Sequence, residues 1–339
     1  MQTKKLRLQL DVYFAPLSAS YLHMLNHSNS TCPICASTGI YDFSSRDLMF
    51  DGATSYDYHR CTRCELVYQQ PLPTPQQIAS FYPTSYSVYT KPTRTAFSHQ
   101  ELLTLKDSLG YTHLDTPTIQ SITQRLLPKK AVPDVIAYVP SGKVLDIGCG
   151  NGEYLLRLKS IGWQCQGVEF NDTALSICRA HDLEVFHGDL KAANFAAESF
   201  DFVTAHHLIE HTADPAGLIR EMARVTKPGG TILIRTPNSK ALGRRWFAVN
   251  WFANDVPRHL MLFCSESLAI LAKQHGLQLL KLRKPVKAKL VLKSLDYKLG
   301  NTGVPSKKRK LRKWLAKLYV PAAKLTGHGD ELFALYRKP

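Results

Sequence analysis

The sequence of 339 residues lacks any run of about 18 uncharged apolar residues, the length that a membrane-spanning helix needs. Its first 30 residues also lack an unbroken apolar segment, because Asp11 and several polar residues interrupt them, so a cleaved secretory signal is not expected. We therefore expect a cytoplasmic protein whose eight cysteines are reduced. The hydrophobic fraction of 44% excludes a mainly disordered chain, because it suffices for a sizeable core.

Acidic residues are nearly absent from residues 281–317, and this stretch carries most of the net charge of +16. It holds fourteen lysines and arginines but a single acid, Asp296. The rest of the chain is close to neutral. A protein built wholly for nucleic acid more often spreads its basic residues over a binding face, so nucleic acid is the less favoured partner.

Composition and periodicity divide the chain into five parts. These are an N-terminal extension (1–30), a module with two cysteine pairs (31–90), a helical linker or cap (91–140), a strand–helix domain (141–285), and a basic amphipathic segment with a final strand (286–339). The strand–helix alternation predicts an α/β fold with a doubly wound parallel sheet. Strands are predicted at 143–147, 165–170, 183–186, 200–205, 231–235, 277–282 and 332–336.

A turn that contains Gly148, Gly150 and Gly152 follows the first predicted strand. Ligands of such sheets bind beyond the carboxyl ends of the strands, and glycine lets them approach the backbone closely. The dinucleotide pattern G-x-G-x-x-G is absent, because Glu153 occupies its last position. Asp146 disfavours a pyrophosphate at this turn but suits a cationic amino group. The alternative is a tight turn without a ligand.

Two further acids follow the next two predicted strands. Glu169 ends the second strand, where a carboxylate can accept both hydroxyls of a ribose. Asp189 follows the third strand and could accept from an adenine amino group, while Phe170 and Leu190 could sandwich the base. Each acid alone is more often a solvated loop residue, but acids at consecutive strand ends favour a nucleoside site.

Five segments resemble class I S-adenosylmethionine-dependent methyltransferases. They are VLDIGCGNG (144–152), GVEF (167–170), HGDL (187–190), FDFVTAHHLIEHTADP (200–215) and KPGGTILIRTPN (227–238). The resemblance implies a seven-stranded Rossmann-like sheet with an antiparallel final hairpin, and S-adenosyl-L-methionine as cofactor. The residues that it implies for cofactor binding are Asp146, Gly148, Cys149, Gly150, Gly152, Glu169, Phe170, Asp189, Leu190 and His206.

Four cysteines, Cys32, Cys35, Cys61 and Cys64, form two C-x-x-C pairs. Four thiolates in two short knuckles suit a tetrahedral Zn²⁺ ion and leave no open position, so the predicted role is structural. A thioredoxin-like redox role is the alternative. With the segment that follows, the pairs resemble the methyltransferase subgroup that begins with a zinc ribbon, many of whose members act on sugars or glycans. Tyr86 and Tyr89 could fold over the cofactor or simply pack.

Methyl transfer to a hydroxyl needs a positioned acceptor and benefits from a general base. The candidates after the fourth predicted strand are His207, Glu210 and His211. The candidate favoured by the sequence is His259, because a similar P-R-H-L stretch borders the substrate pocket of the relatives. Arg258 could hold an acidic group of the acceptor. The alternative is that Arg258 and His259 only brace their loop.

The basic segment contains an amphipathic pattern at 307–320, with Leu311, Trp314, Leu315 and Leu318 on one helical face. We expect this face to pack on the sheet domain. A peripheral contact with an anionic membrane or a lipid-linked acceptor is the second interpretation, and nucleic acid is the third.

These patterns predict a methyltransferase that acts on a small-molecule or glycan-type acceptor, with O-methylation favoured. No Asn/Asp-Pro-Pro-Tyr/Phe motif follows the fourth predicted strand, and outside the two cysteine pairs no cysteine lies in the Pro-Cys or Thr-Cys context that is typical of enzymes that methylate bases. An RNA methyltransferase that is anchored by the ribbon and the basic segment is the alternative enzyme. A binding scaffold with a vestigial cofactor site is the alternative outside enzymes.

Overall fold

The computed structural model describes residues 29–82, 90–115, 131–300 and 306–339. Nearly all of the predicted N-terminal extension lies outside these residues, as do Tyr86 and Tyr89. The described residues form two β-sheets, a larger one with seven strands and a smaller one with five.

Strands and helices alternate through most of the larger domain. The strands are β1 (Ser30–Thr31), β2 (Thr38–Arg46), β3 (Ser55–Cys61), β4 (Val67–Gln70), β5 (Lys143–Ile147), β6 (Gln164–Glu169), β7 (Glu184–His187), β8 (Phe200–His206), β9 (Thr226–Pro237), β10 (Met261–Leu262), β11 (Gln278–Arg283) and β12 (Glu331–Arg337). The α-helices are α1 (Pro75–Ser80), α2 (His99–Leu109), α3 (Glu153–Lys159), α4 (Asp172–Arg179), α5 (Pro215–Val225), α6 (Leu242–Phe247), α7 (Ser265–Gln274), α8 (Ala288–Leu299) and α9 (Ser306–Leu325).

The larger sheet has the strand order β11-β12-β9-β8-β5-β6-β7. Strands β7, β6, β5, β8 and β9 are parallel, and β12 is antiparallel to both β9 and β11. The predicted doubly wound α/β sheet with an antiparallel final hairpin is therefore confirmed. Because β6 lies on one side of β5 and β8 on the other, the ligand crevice is expected at the carboxyl ends of β5 and β8.

The central strands are buried on both faces, as is typical of a parallel sheet between two helical layers. Val144, Leu145 and Ile147 of β5 are almost fully buried, and so are Phe202 and Val203 of β8. Each such side chain contributes about 1.5–3 kcal/mol of hydrophobic free energy. This packing holds the strand ends, and the polar residues that follow them, in fixed positions.

The smaller sheet joins the cysteine module to the larger domain. Its order is β1-β2-β3-β4-β10, and β10 comes from the loop between β9 and α7. Met261 and Leu262 of β10 pair with Tyr68 and Val67 of β4. Apolar residues of the module and of the sheet domain also pack in one cluster. The two units therefore share a sheet and a core.

Helix α9 packs against α8 and buries the side chains of Ala316, Tyr319 and Ala323. The Tyr319 hydroxyl donates a hydrogen bond to Asp330 and accepts one from the backbone N–H of Gly243. Two alanines allow close approach of the helices, and the tyrosine finds a polar partner at the same contact. None of the helices in the described ranges is both long and apolar enough to cross a membrane.

The face of α9 that packs differs from the predicted one. Trp314 and Leu318 are 55% and 49% exposed, so the prediction that they pack on the domain is wrong. The side chains of Leu311 and Leu315 lie outside the described part of the structure. The face that packs instead carries Ala316, Tyr319 and Ala323, where two alanines let α8 approach closely.

Candidate active site

The turn after β5 brings three glycines to the carboxyl edge of the larger sheet. Gly148, Gly150 and Gly152 have φ angles of 68°, 55° and 74°, a region in which other residues are strained. A Cβ atom on Gly152 would also lie 2.3 Å from Cδ1 of Leu183. Both conformation and space therefore require glycine where the turn enters α3.

Asp146 lies near the end of β5, and its carboxyl group is buried beside this turn. The Thr204 hydroxyl donates a hydrogen bond of 2.6 Å to Asp146 Oδ1. Burial raises the pKa of Asp146 to about 7, against the Thr204 hydrogen bond, and the charge of Glu169 adds to the rise. A cationic ligand group would favour the ionised carboxylate, so this position suits an ammonium group.

Glu169 connects the glycine turn to the loop after β6. Its Oε2 accepts a hydrogen bond of 2.9 Å from the Gly150 N–H, and its Oε1 accepts from the N–H groups of Phe170 and Asn171, both at 2.9 Å. A carboxylate has about four acceptor positions, so three backbone donors leave one for a ligand hydroxyl, whereas the sequence predicts that Glu169 accepts both hydroxyls of a ribose. The predicted ribose contact therefore involves a carboxylate that already shapes its own loop.

The residues predicted to contact a base differ in exposure. Phe170 is 59% exposed and lies edge-on to Tyr82, with ring centroids 6.5 Å apart. Asp189 is exposed and accepts a hydrogen bond of 2.7 Å from the Ala192 N–H, whereas Leu190 is buried in the core. The ring of Phe170 is thus accessible to a base, whereas the Leu190 side chain is packed in the core.

A cavity of about 380 Å³ lies between the glycine turn and the ends of β8 and β9. Asp146, Cys149, Tyr154, His206 and His207 are among its lining residues. The cavity occupies the crevice expected from the strand order, and it combines a buried carboxylate with two histidines.

His206 presents an unsatisfied group at this cavity. Its ring packs on Tyr154 with centroids 4.6 Å apart, and its buried Nε2 has no hydrogen-bond partner among the described residues. Burial, followed by the positive charge of Arg235, lowers the pKa of His206 to about 3, so the ring is neutral. A buried polar atom without a partner costs about 1–3 kcal/mol, which indicates a ligand at this wall.

His207 lies between two buried carboxylates at the same cavity. Its Nδ1 is 3.3 Å from Glu210 Oε1, and its Nε2 is 3.6 Å from Glu331 Oε1. Its side chain is 42% exposed, and its φ angle of 52° turns the chain sharply after β8. Burial acts to raise the pKa of Glu210, but the hydrogen bond and charge of His207 outweigh it and lower the pKa to about 2. This geometry orients one ring nitrogen and leaves the ring accessible.

Arg258 and His259 lie between the cysteine module and the sheet domain. The fully buried guanidinium of Arg258 donates to Asp47 Oδ2 at 2.7 Å and to Asp255 Oδ1 at 2.8 Å. His259 is 7% exposed, and its Nδ1 is 3.0 Å from the carbonyl oxygen of Ala253. Neither residue lines the cavity described above. In this structure both brace the loop that precedes β10.

His211 joins this second group. Its Nδ1 is 3.0 Å from the Tyr82 hydroxyl and 3.0 Å from the carbonyl oxygen of Arg258. Its ring meets that of His259 edge-on, with centroids 4.7 Å apart. Burial lowers the pKa of His211 to about 4, and the charge of His259 adds to this effect. The predicted catalytic residues therefore fall into two groups, and of these residues only His207 lines the cavity, with the buried Glu210 behind it.

The four cysteines of the module converge as the sequence predicts. Cys32 Sγ is 3.5 Å from Cys64 Sγ, and Cys35 Sγ is 3.4 Å from Cys61 Sγ. All four sulfur atoms lie within 4.8 Å of one another. Sulfur atoms bound at about 2.3 Å to one tetrahedral zinc ion lie roughly 3.8 Å apart, so the cluster fits that ion.

Six cavity residues are not identified as site residues from the sequence: Asp134, Asn151, Glu153, Tyr154, Arg157 and Arg235. Arg235 ends the fifth predicted strand, so the rule that ligands bind at strand ends could have identified it. Tyr154 shares a helical face with core residues, and its polar contact, to the carbonyl oxygen of Asp134, involves a distant segment. No local pattern marks that contact.

Comparison with known proteins bears on the same region. Residues 111–282, just over half of the chain, match a family model described as a methyltransferase domain. A ubiquinone biosynthesis O-methyltransferase of Stutzerimonas stutzeri is 38% identical over 103 residues, which are 28% of this chain and 44% of the relative. One of Thiobacillus denitrificans is 34% identical over 116 residues, 32% of this chain and 50% of the relative. The chain spans about half the length of the curated relatives that it matches.

Solved structures also resemble this chain. A SAM-dependent methyltransferase of Archaeoglobus fulgidus has 19% sequence identity and a TM-score of 0.42, over 58% of this chain and 86% of that one.

Proposed function

The chain belongs to the methyltransferase domain family, and on this premise we propose that it is a class I S-adenosylmethionine-dependent O-methyltransferase. One observation carries the proposal: Asp146 and His207 line the same cavity, and the buried Glu210 lies behind His207. The carboxylate suits the ammonium group of the cofactor. The histidine suits removal of a proton from an acceptor hydroxyl.

The residues of the cavity fit the cofactor by their chemistry. Asp146 and His206, whose Nε2 has no hydrogen-bond partner in the described part of the chain, would hold the amino-acid end beside the glycine turn. Glu169, Phe170 and Asp189 do not line this cavity but lie at or just after the ends of β6 and β7, and they would hold the adenosine end, as the sequence predicts. When bound, S-adenosyl-L-methionine supplies a methyl group on a sulfonium, which is electrophilic without further activation by the protein.

His207 is the proposed base. With the Nδ1 proton directed to Glu210, Nε2 is the atom that accepts the proton of the acceptor hydroxyl. On transfer of the methyl group to the acceptor oxygen, His207 would hold the released hydroxyl proton at Nε2. Glu210 lies 3.3 Å from Nδ1 and Glu331 lies 3.6 Å from Nε2 of this ring. The chain otherwise contributes by holding the acceptor in line.

His259, which the sequence favours as the base, is the competing candidate. Its Nδ1 contacts a backbone carbonyl and its side chain is nearly buried, so it needs a rearrangement to reach an acceptor. The contacts of Arg258 with two aspartates likewise favour a bracing role over acceptor binding.

The proposed acceptor is a small-molecule or glycan-type hydroxyl compound. The names of the relatives, ubiquinone biosynthesis O-methyltransferases, support a small-molecule hydroxyl. A lipid-linked acceptor at an anionic membrane surface is compatible with the exposed Trp314 and Leu318 of α9. The same face favours a peripheral membrane contact of residues 307–320.

We also propose that Cys32, Cys35, Cys61 and Cys64 bind one structural Zn²⁺ ion. The convergence of their sulfur atoms supports this. Metal analysis of the purified protein should find one zinc per chain, and Cys61→Ser combined with Cys64→Ser should abolish it. Zinc content that survives this double substitution would contradict the assignment.

The proposed activity is tested with labelled cofactor. The wild-type chain should bind S-adenosyl-L-methionine saturably and transfer label to one fraction of a cell extract. Asp146→Asn should weaken binding by about a hundredfold, since it removes a buried charge pair worth roughly 3 kcal/mol. Asp182→Asn, an exposed acid in the same domain, is the matched control. Absence of saturable binding to the wild type would refute the function.

A further inference from the structure

A second cavity, of about 400 Å³, adjoins the candidate active site. Asp134 and Arg235 line both cavities, so the two spaces meet at these residues. Arg235 also lies next to the proposed base, because its carbonyl oxygen accepts a hydrogen bond of 2.8 Å from the His207 N–H. A molecule with its hydroxyl at His207 could therefore extend into the second cavity.

The lining of this cavity is strongly basic. Arg235, Arg283, Lys284 and Lys287 line it, against the single acid Asp134. Glu331 neutralises Arg235 at 2.7 Å and lies 3.7 Å from Lys287. Arg283 and Lys284 have no ion pair with any residue that the structure describes. Two cations are thus available to a ligand beside the reacting centre.

The backbone that carries these cations is held in place. The Asp330 N–H donates to the carbonyl oxygen of Pro285 at 2.8 Å, and Asp330 Oδ2 accepts from the Lys287 N–H at 2.6 Å. Asp330 in turn accepts the hydroxyl hydrogen bond of Tyr319 from α9. The loop after β11 is therefore fixed to the start of β12, and the wall is preorganised rather than a flexible surface loop.

We propose that this basic cavity binds an anionic group, a phosphate or a carboxylate, of the methyl acceptor. The inference rests on the proposed function and specifies its acceptor: a hydroxyl compound that carries an anionic group on the side away from the cofactor. Arg283 can donate two parallel hydrogen bonds to such a group, and Lys284 and Lys287 add positive charge. The neutralised Arg235 separates this group from the reacting hydroxyl.

The test measures anion binding directly, with inorganic phosphate and acetate as probes. Each is titrated calorimetrically into the full-length protein at an ionic strength held constant with sodium chloride. The double variant Arg283→Gln/Lys284→Gln should weaken binding of the preferred anion by at least about tenfold, since one charge-assisted hydrogen bond contributes roughly that factor. Lys289→Gln/Lys298→Gln, two exposed residues of α8, removes the same charge elsewhere and should leave binding unchanged.

The probes distinguish the two sources of charge. Preference for phosphate assigns a phosphorylated acceptor, and preference for acetate assigns a carboxylate. Equal weakening in both double variants, or no binding of either anion to the wild type, would overturn the inference. S-adenosyl-L-methionine affinity is measured on the same samples and should be equal in all of them. If the wild type did not bind S-adenosyl-L-methionine, the proposed function would be contradicted, whereas the anion titrations would still test the basic cavity.

Discussion

Four histidines between the end of β8 and the start of β10 form two groups, and the two groups differ in what surrounds their imidazole rings. His206 and His207 line the cavity, where one buried nitrogen has no partner among the described residues and one ring is partly exposed. His211 and His259 lie between the cysteine module and the sheet domain, where their Nδ1 atoms contact backbone carbonyls. The same residue type thus has an open environment in one group and a closed one in the other.

This difference shows that the position of a histidine near a strand end is insufficient to identify it as a general base. Both groups contain histidine beside a carboxylate, which is the pattern that chemistry requires. Only the accessible nitrogen can exchange a proton with a ligand. The comparison therefore supports the proposal that His207 is the base and that His259 braces its loop, and the following experiments test this assignment.

The largest expected effect follows from removing the proposed base. His207→Asn, which tolerates the positive φ angle, should lower kcat by about 10²- to 10⁴-fold, the usual contribution of a general base. The affinity for S-adenosyl-L-methionine should not change. Initial rates with the acceptor fraction, together with calorimetry, measure both quantities.

His259→Asn is the matched control for this experiment. It should leave kcat within a few-fold of the wild type, because His259 does not line the cavity. The opposite pattern, a large loss in His259→Asn and little in His207→Asn, would favour the base that the sequence suggests.

A smaller effect concerns the stability of the closed group. Arg258→Met leaves Asp47 and Asp255 without their buried cation and should lower the free energy of unfolding by about 3–5 kcal/mol. Urea denaturation measures this change. Arg46→Met breaks the exposed pair with Asp51 and should cost only about 0–1 kcal/mol. Similar values for the two variants would contradict a bracing role for Arg258.

The smallest effect is a pH dependence of cofactor binding. The pKa of Asp146 is raised to about 7, so below that pH a proton must leave before an ammonium group can bind. Affinity should therefore fall by nearly tenfold per pH unit below about 7 and level off above it. Calorimetry between about pH 5.5 and 7.5 measures this trend.

The same raised pKa has a consequence for the protein without ligand. Between the ordinary pKa of 3.8 and the raised value, the folded state keeps a proton at Asp146 that the unfolded chain has lost. The free energy of unfolding should therefore fall as pH rises through this interval, and Asp146→Asn should remove that contribution. A variant whose pH dependence equals that of the wild type would contradict the raised pKa.

The sequence predicts the central fold well, because local patterns determine it. β5 has the predicted bounds, since its apolar run is followed at once by the glycine turn. β10 was missed, because two residues have no periodicity and become a strand only by pairing with β4. The exposure of Trp314 was also missed, since an amphipathic pattern does not identify which face meets a partner.

The candidate site was predictable where it follows strand ends and not where it depends on distant pairing. Asp146 lies near the end of the first predicted strand, and the glycines follow that strand directly. Glu331, in contrast, lies 96 residues after Arg235 and reaches it only because β12 inserts next to β9. Nothing near Glu331 in the sequence indicates that it approaches His207.

The insertion of β12 between β9 and β11 has a consequence for biosynthesis. Until the ribosome has synthesised β12, Arg235 lacks its ion pair with Glu331, and His207 lies beside one carboxylate instead of two. A nascent chain can thus form the glycine turn while its proton-accepting centre is still incomplete.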